Sequence, residues 1–93
     1  MEIGDKNGIA DSLNYMGNVA FGLTDFKKAI ILMNAAEKEF ESLGAVLGVD
    51  DQKIKDQNIA KIREELTDEE FEKYSKEGMK ITVEEAVQIA VSI

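Results

Sequence analysis

The stretch NYMGNVAFGLTDFKKA, residues 14–29, places Gly17 in the middle of a run whose apolar residues have helical spacing. Glycine inside a helix costs about 1 kcal/mol relative to alanine. A helix that contains one at such a position usually brings its backbone close to another segment. The stretch therefore predicts that a second helix crosses the first at Gly17.

The residues around Gly17 predict a helical hairpin. Apolar side chains recur at three- and four-residue steps, at Ile9, Leu13, Met16, Ala20 and Leu23. Thr24-Asp25 interrupts this pattern and offers an N-cap for a second helix. The second helix repeats the spacing at Phe26, Ala29, Ile30, Met33, Ala36 and Phe40. It ends at Leu43, with Gly44 as its C-cap. Two helices joined by so few residues pack antiparallel.

Small and large residues alternate where these two helices are expected to cross. Gly17, Ala29 and Ala36 are small enough to let the helix axes approach, and larger side chains fill the space around them. The residues that we expect at the crossing are Leu13, Met16, Gly17, Ala20, Ala29, Met33 and Ala36.

The second half of the chain predicts three further helices. Asp50-Asp51 suits a helix start, because negative charge is favourable at the N-terminal end of the helix dipole. The helix that follows carries a narrow apolar stripe at Ile54, Ile59, Ile62 and Leu66. Residues 67–70 and 82–85 are two capping boxes. The first opens a helix that bears Phe71 and Tyr74 and is expected to end near Gly78. The second opens a last helix with one apolar side, formed by Val83, Ala86, Val87, Ala90 and Val91. The fold class is all-α, with about five helices.

Composition excludes several classes of function. The 93 residues suffice for a single domain, residues 1–93, and they include no His or Cys, the commonest general base and the thiolate metal ligand. A net charge of −8 repels phosphate backbones, so no nucleic-acid partner is expected. No apolar run is long enough to span a membrane, and the N-terminus lacks the features of a signal peptide. We expect an acidic cytoplasmic protein without a membrane partner.

The hairpin resembles a tetratricopeptide repeat. Leu13 stands at the first large position of that pattern, Met16-Gly17 at its Leu-Gly pair and Ala20 at its Tyr. Asp25-Phe26 is similar to the acidic-aromatic pair that opens the second helix of such repeats. Ala29, Met33 and Ala36 match the later Ala, Phe and small positions, whereas Trp, Tyr and Pro are missing from their places. The resemblance implies a tetratricopeptide-type antiparallel hairpin over residues 7–43, part of a right-handed helical superhelix.

The remainder of the chain resembles the C-terminal helices of large bacterial signalling ATPases, cyclases and ATP-dependent transcription regulators. The matching pieces are Ala35-Ala36-Glu37, Leu66 to Phe71, Gly78 and residues 82–87, and Ile3 to Ala10 looks like a junction between repeats. No phosphate-binding loop, cyclase core or DNA-reading helix accompanies them. The resemblance implies that residues 50–93 cap a helical array. It also implies that the chain is a non-catalytic interaction or scaffold module, the terminal part of a bacterial signalling protein, which contacts neighbouring repeats or a protein or peptide partner.

Carboxylates are the only plentiful reactive groups. Asp68, Glu69, Glu70 and Glu72 cluster in sequence, and such a cluster can bind a hard cation, but a solvated helix start explains it better. No residues assemble a nucleophile, a base and an oxyanion donor. We therefore expect no enzyme activity, no metal and no cofactor.

The candidate binding surface consists of Asn14, Asn18 and Phe21 on the first helix, because that helix lines the peptide groove of tetratricopeptide proteins and its Asn residues hydrogen-bond the ligand. Alternatively, Asn14 and Asn18 are simply the polar face of the helix. Two other functions stay open. One is self-association as a homodimer through Ile3, Ile9, Leu13 and Phe21. The other is a ligand-sensing module that holds a small apolar molecule between its helices.

Overall fold

The computed structural model describes residues 6–93, with side chains from Gly8 onward. Five helices account for most of these residues, and no strand occurs among them: α1 Lys6–Gly22, α2 Phe26–Leu43, α3 Val49–Glu65, α4 Asp68–Lys80 and α5 Val83–Val91. The all-α prediction is confirmed. Ile3 lies outside the described residues.

Helix α2 is the central element, and α1, α4 and α5 all pack against it. Five consecutive residues, Ala29 to Met33, are buried, which requires contacts on several sides of the helix. By contrast, Gly22 at the end of α1 and Leu23 directly after it are exposed, although the apolar spacing of the first helix included Leu23.

Helices α1 and α2 form an antiparallel hairpin. Ala10 near the start of α1 shares one buried cluster with Phe40 near the end of α2, whereas Ala20 shares another with Ala29. A Cβ added to Gly17 would lie 2.9 Å from Met33 Cγ and 3.3 Å from the Ala29 carbonyl oxygen. The two helices therefore approach each other closely at Gly17.

The turn between α1 and α2 consists of Leu23, Thr24 and Asp25. Asp25 caps α2 as expected, because its side chain accepts a hydrogen bond from the Lys28 amide at 3.2 Å. The residue with left-handed backbone is Thr24, with φ 62°. The Thr24 and Asp25 amides donate to the carbonyls of Phe21 and Ala20, which is the hydrogen-bond pattern of a Schellman motif.

Helices α4 and α5 lie on α2 in opposite directions. Both begin with the predicted capping boxes, at Thr67 and Thr82. Lys38 Nζ donates to the Ile81 carbonyl just before α5, and Lys28 Nζ donates to Ser92 Oγ just after it. Because Lys28 precedes Lys38 in α2, α5 runs antiparallel to α2 and parallel to α1.

Helix α4 ends two residues beyond Gly78, near which its end was predicted. The helix continues to Lys80, and Gly78 is buried within it against α2. A Cβ added to Gly78 would lie 2.5 Å from the Ile31 carbonyl oxygen and 2.7 Å from Asn34 Cβ. The glycine therefore permits a second close crossing, which is tighter than the one at Gly17.

Helix α3 packs across the hairpin with a stripe that begins one residue later than predicted. Ile54 is exposed, and Lys55 is buried in its place, ahead of Ile59 and Ile62. Lys55 Nζ lies 3.5 Å from Glu37 Oε2. A buried lysine stem fits an apolar contact surface when its ammonium finds a carboxylate.

Candidate functional site

The structure distributes the three candidate surface residues of α1 over different environments. Asn14 is 5 % exposed, and its Oδ1 atom has no hydrogen-bond partner among the described residues. Asn18 is half-buried and accepts a hydrogen bond from Asn58 Nδ2 of α3 at 2.9 Å. Phe21 packs near Phe26, with ring centroids 6.0 Å apart. Asn14 and Asn18 are therefore not a free polar face, and a residue as buried as Asn14 offers no accessible contact to a partner.

Phe21 lines a shallow groove between the end of α1 and α3. The other lining residues, apart from Ala60, are polar or charged: Gln57, Asn58, Lys61 and Glu64. Its volume is about 470 Å³, and it is widely open to solvent. Phe21 and Asn58, the hydrogen-bond partner of Asn18, line this α1/α3 groove, whereas Asn14 and Asn18 are not part of its lining.

A second groove lies between α1 and α5, and its lining is almost entirely apolar. It has a volume of about 220 Å³ and is lined by Ile9, Ser12, Leu13, Met16, Val87, Ala90 and Val91. The small residues of α5, Ala86 and Ala90, are buried in the core. Its larger neighbours remain uncovered, because Val87 is 39 % and Val91 72 % exposed. We call these seven lining residues the α1/α5 groove.

The α1/α5 groove corrects the surface that the sequence suggested for self-association. Leu13 is almost fully buried under it, and Phe21 lies on the α1/α3 groove instead. Of the residues predicted for self-association, Ile9 is half-buried and lines the α1/α5 groove. Sequence reasoning had assigned Val87 and Val91 to the core side of α5, because five of the six apolar residues of that helix fall within one broad face. The relevant signal was the size difference between the alanines and the valines of that face.

The charged residues of the two helices that form the α1/α5 groove are Lys6 and Asp11 on α1 and Glu84 and Glu85 on α5. Glu85 accepts a hydrogen bond from the Thr82 amide in the capping box. Asp11 and Glu84 are exposed, and neither belongs to an ion pair in the described part of the chain. The seven residues that line the groove include no charged side chain.

Carboxylates at the start of α4 take part in helix capping and in an ion pair within the helix. Glu70 completes the capping box with Thr67, and Glu72 pairs with Lys76 at 3.0 Å. Among residues 6–93 no group of three or more His, Cys, Asp or Glu side chains is arranged to hold a metal ion. In the same part of the chain, no helix has both the length and the hydropathy needed to cross a membrane.

Comparison with known proteins gives no match: no protein-family model, no curated protein and no solved structure is similar to this chain at a significant level.

Proposed function

We propose that this chain is a non-catalytic protein-interaction module built on a tetratricopeptide-like hairpin. The observation that carries the proposal is the α1/α5 groove, an apolar surface between two packed helices that no described residue covers. Exposed apolar grooves with polar surroundings are typical of protein interaction sites. The groove volume of about 220 Å³ lies below the 300–1,000 Å³ that is typical of small-molecule pockets, which disfavours a small-molecule site in this groove.

The hairpin geometry supports the tetratricopeptide-like part of the proposal. Gly17 and Ala29 lie at the close approach of α1 and α2, where that repeat has its small residues. Helices α3–α5 pack around the hairpin and present mostly polar outer faces, as an end cap of a helical array requires. A place in a bacterial signalling or transcription-regulating protein of the cytoplasm follows from the sequence resemblance alone.

A comparison of two doubly substituted chains tests the proposed function. Val87→Glu with Val91→Glu places charge in the α1/α5 groove, whereas Val46→Glu with Val49→Glu places the same charge on two valines outside it that are almost fully exposed. Each chain and the wild type are immobilised, and bound proteins from an extract of the source cells are quantified by mass spectrometry. We expect a partner that is lost with the groove variant and retained with the control.

The test can fail in two clear ways. If every protein bound by the wild type is retained by the groove variant, the groove is not an interaction site. If the wild type binds nothing but sediments as a dimer that the groove variant abolishes, the module is a homodimer. The first result would overturn the groove as the interaction site, and the second would overturn the proposal of a separate protein partner.

A further inference from the structure

We propose that α3 is a detachable cover on the α1–α2 hairpin, and that it opens while α1, α2, α4 and α5 remain folded. Its opening exposes the side of α1 that carries Asn14, Asn18 and Phe21, which we call the covered face. The proposal goes beyond the proposed function and is independent of it, because the α1/α5 groove is lined by other residues of α1.

The covered face lies on the side of α1 that packs against α3. Asn18 accepts a hydrogen bond from Asn58 of α3 at 2.9 Å, and Phe21 lines the α1/α3 groove. Asn14 precedes Asn18 by four residues and Phe21 by seven, so a helix with about 3.6 residues per turn presents all three on one side. Helix α3 therefore covers Asn14, which is only 5 % exposed.

Helix α3 has few contacts with the rest of the domain. Of its 17 residues, only Lys55 and Ile62 are buried. Among the helices that pack on the hairpin, α3 has sparser contacts with it than α4 or α5. Ile62 is fully buried among residues of α1 and α2, and Ile59 packs against the same cluster. A segment with few buried apolar contacts opens at a lower free energy than the core.

The polar contacts of α3 are accessible to water. Lys55 Nζ lies 3.5 Å from Glu37 Oε2, and the Glu37 side chain is half-exposed. The Arg63 guanidinium carbon lies 4.5 Å from the centre of the Phe71 ring, at an exposed position of α3. Each of these contacts, like the hydrogen bond of Asn58, has at least one partner within reach of solvent. Such contacts contribute little to the closed state, because water competes for the same groups.

The closed position of α3 leaves a buried polar atom unpaired. Asn14 Oδ1 has no hydrogen-bond partner among the described residues. A buried acceptor without a donor destabilises the state that buries it, because water bonds that acceptor when it is exposed. Opening of α3 gives water access to Asn14. Burial of Ile62 thus favours the closed state, and burial of Asn14 opposes it.

Both ends of α3 allow it to open without unfolding its neighbours. Residues 45–48, between α2 and α3, belong to no helix, and Gly48 provides no side-chain cap. Helix α2 ends at its own C-cap, Gly44. Helix α4 begins at its own capping box, at Thr67, and crosses α2 closely at Gly78. Neither α2 nor α4 therefore depends on α3 for its end or for its packing.

Hydrogen exchange followed by mass spectrometry tests the proposal, on the wild-type chain in native buffer and in mild urea. We expect the amides of α3 to exchange at least about tenfold faster than the slowest amides of α2, as local opening predicts. The exchange of α3 should depend weakly on urea, because opening α3 exposes less surface than global unfolding does. The slowest amides of α2 should show the full urea dependence of unfolding.

Two substitutions distinguish opening of α3 from global unfolding. Gly78→Ala disturbs the crossing of α2 and α4, which stays intact when α3 opens. It should accelerate exchange in α2 by about tenfold or more and leave α3 unchanged. Ile62→Val weakens the buried anchor of α3, so it should accelerate exchange in α3 and in α2 by the same factor, about two- to tenfold. Circular dichroism verifies that both variants fold.

A third substitution examines the buried acceptor. Asn14→Leu replaces it with an apolar side chain of similar size, so the closed state no longer buries an unpaired polar atom. Exchange in α3 should slow by about fivefold or more.

Three results would overturn the proposal. If the amides of α3 and α2 exchange at the same rate and both accelerate in Gly78→Ala, α3 opens only when the whole domain unfolds. If the amides of α3 exchange as fast as those of an unstructured peptide, α3 does not form a cover. If Asn14→Leu does not slow exchange in α3, the covered face does not oppose closure. None of these measurements involves a partner, so the proposed function stands or fails separately.

Discussion

Replacing Gly78 with alanine tests whether α2 and α4 cross as closely as the structure shows. The added Cβ would lie 2.5 Å from the Ile31 carbonyl oxygen, 2.7 Å from Asn34 Cβ and 3.1 Å from Ile31 Cα. Two of these three atoms belong to the backbone of α2, so no rotamer change can make room. Helix α4 would have to move away from the buried run at the centre of the core.

The magnitude follows from two opposing effects. Overpacking a close contact costs about 1–3 kcal/mol, and the rigid backbone of α2 favours the upper end of that range. Alanine has a helix propensity about 1 kcal/mol better than glycine, which offsets part of the cost. The net loss is about 2 kcal/mol, equivalent to a fall in Tm of about 8–16 °C for a domain of this size.

Gly22→Ala is the matched control for Gly78→Ala. Gly22 is the last residue of α1, and a Cβ there meets no heavy atom within 4 Å. Only the propensity effect applies, so this variant should gain about 0.5–1 kcal/mol. Thermal unfolding followed by far-ultraviolet circular dichroism measures both variants, and urea unfolding checks the free energies. If Gly78→Ala melts at or above the wild-type temperature, the close crossing of α2 and α4 is refuted.

Three further substitutions are assayed in the same way. Gly17→Leu should destabilise the hairpin by at least about 2 kcal/mol, because its side chain enters the space of Met33; a Tm within a degree of the wild type would contradict the crossing at Gly17. Thr24→Gly should stabilise the protein by about 0.5–1 kcal/mol. Glycine relieves the strain of a left-handed backbone at φ 62°, and the greater entropy of the unfolded chain offsets part of that gain. A loss of stability would count against the left-handed turn. Lys55→Met should be neutral or stabilising, since it keeps the buried stem and removes an ammonium 3.5 Å from Glu37; a loss above about 1 kcal/mol would show that the ion pair matters more than the packing.

The sequence determined the secondary structure because its signals are local. A capping box joins two residues that are three positions apart, so Thr67 and Thr82 identify two helix starts without any knowledge of the fold. Gly44 is equally local, since the C-cap adopts φ 67°, a backbone conformation that glycine tolerates. Gly17 could be interpreted as a crossing point because its partners lie in the next helix along the chain.

The tertiary structure decided everything that depends on which helix lies opposite. In the sequence, Gly78 looks like the end of a helix. Only the position of α2 shows that it is a contact point inside α4. Lys55 is buried and Ile54 is exposed because packing against the hairpin sets the rotation of α3 about its own axis. The α1/α5 groove exists because two alanines of α5 fill the core and leave Val87 and Val91 outside, a choice between equally apolar positions. Hydrophobic spacing selects a face of a helix, but only the volumes of the facing side chains decide which residues of that face are covered.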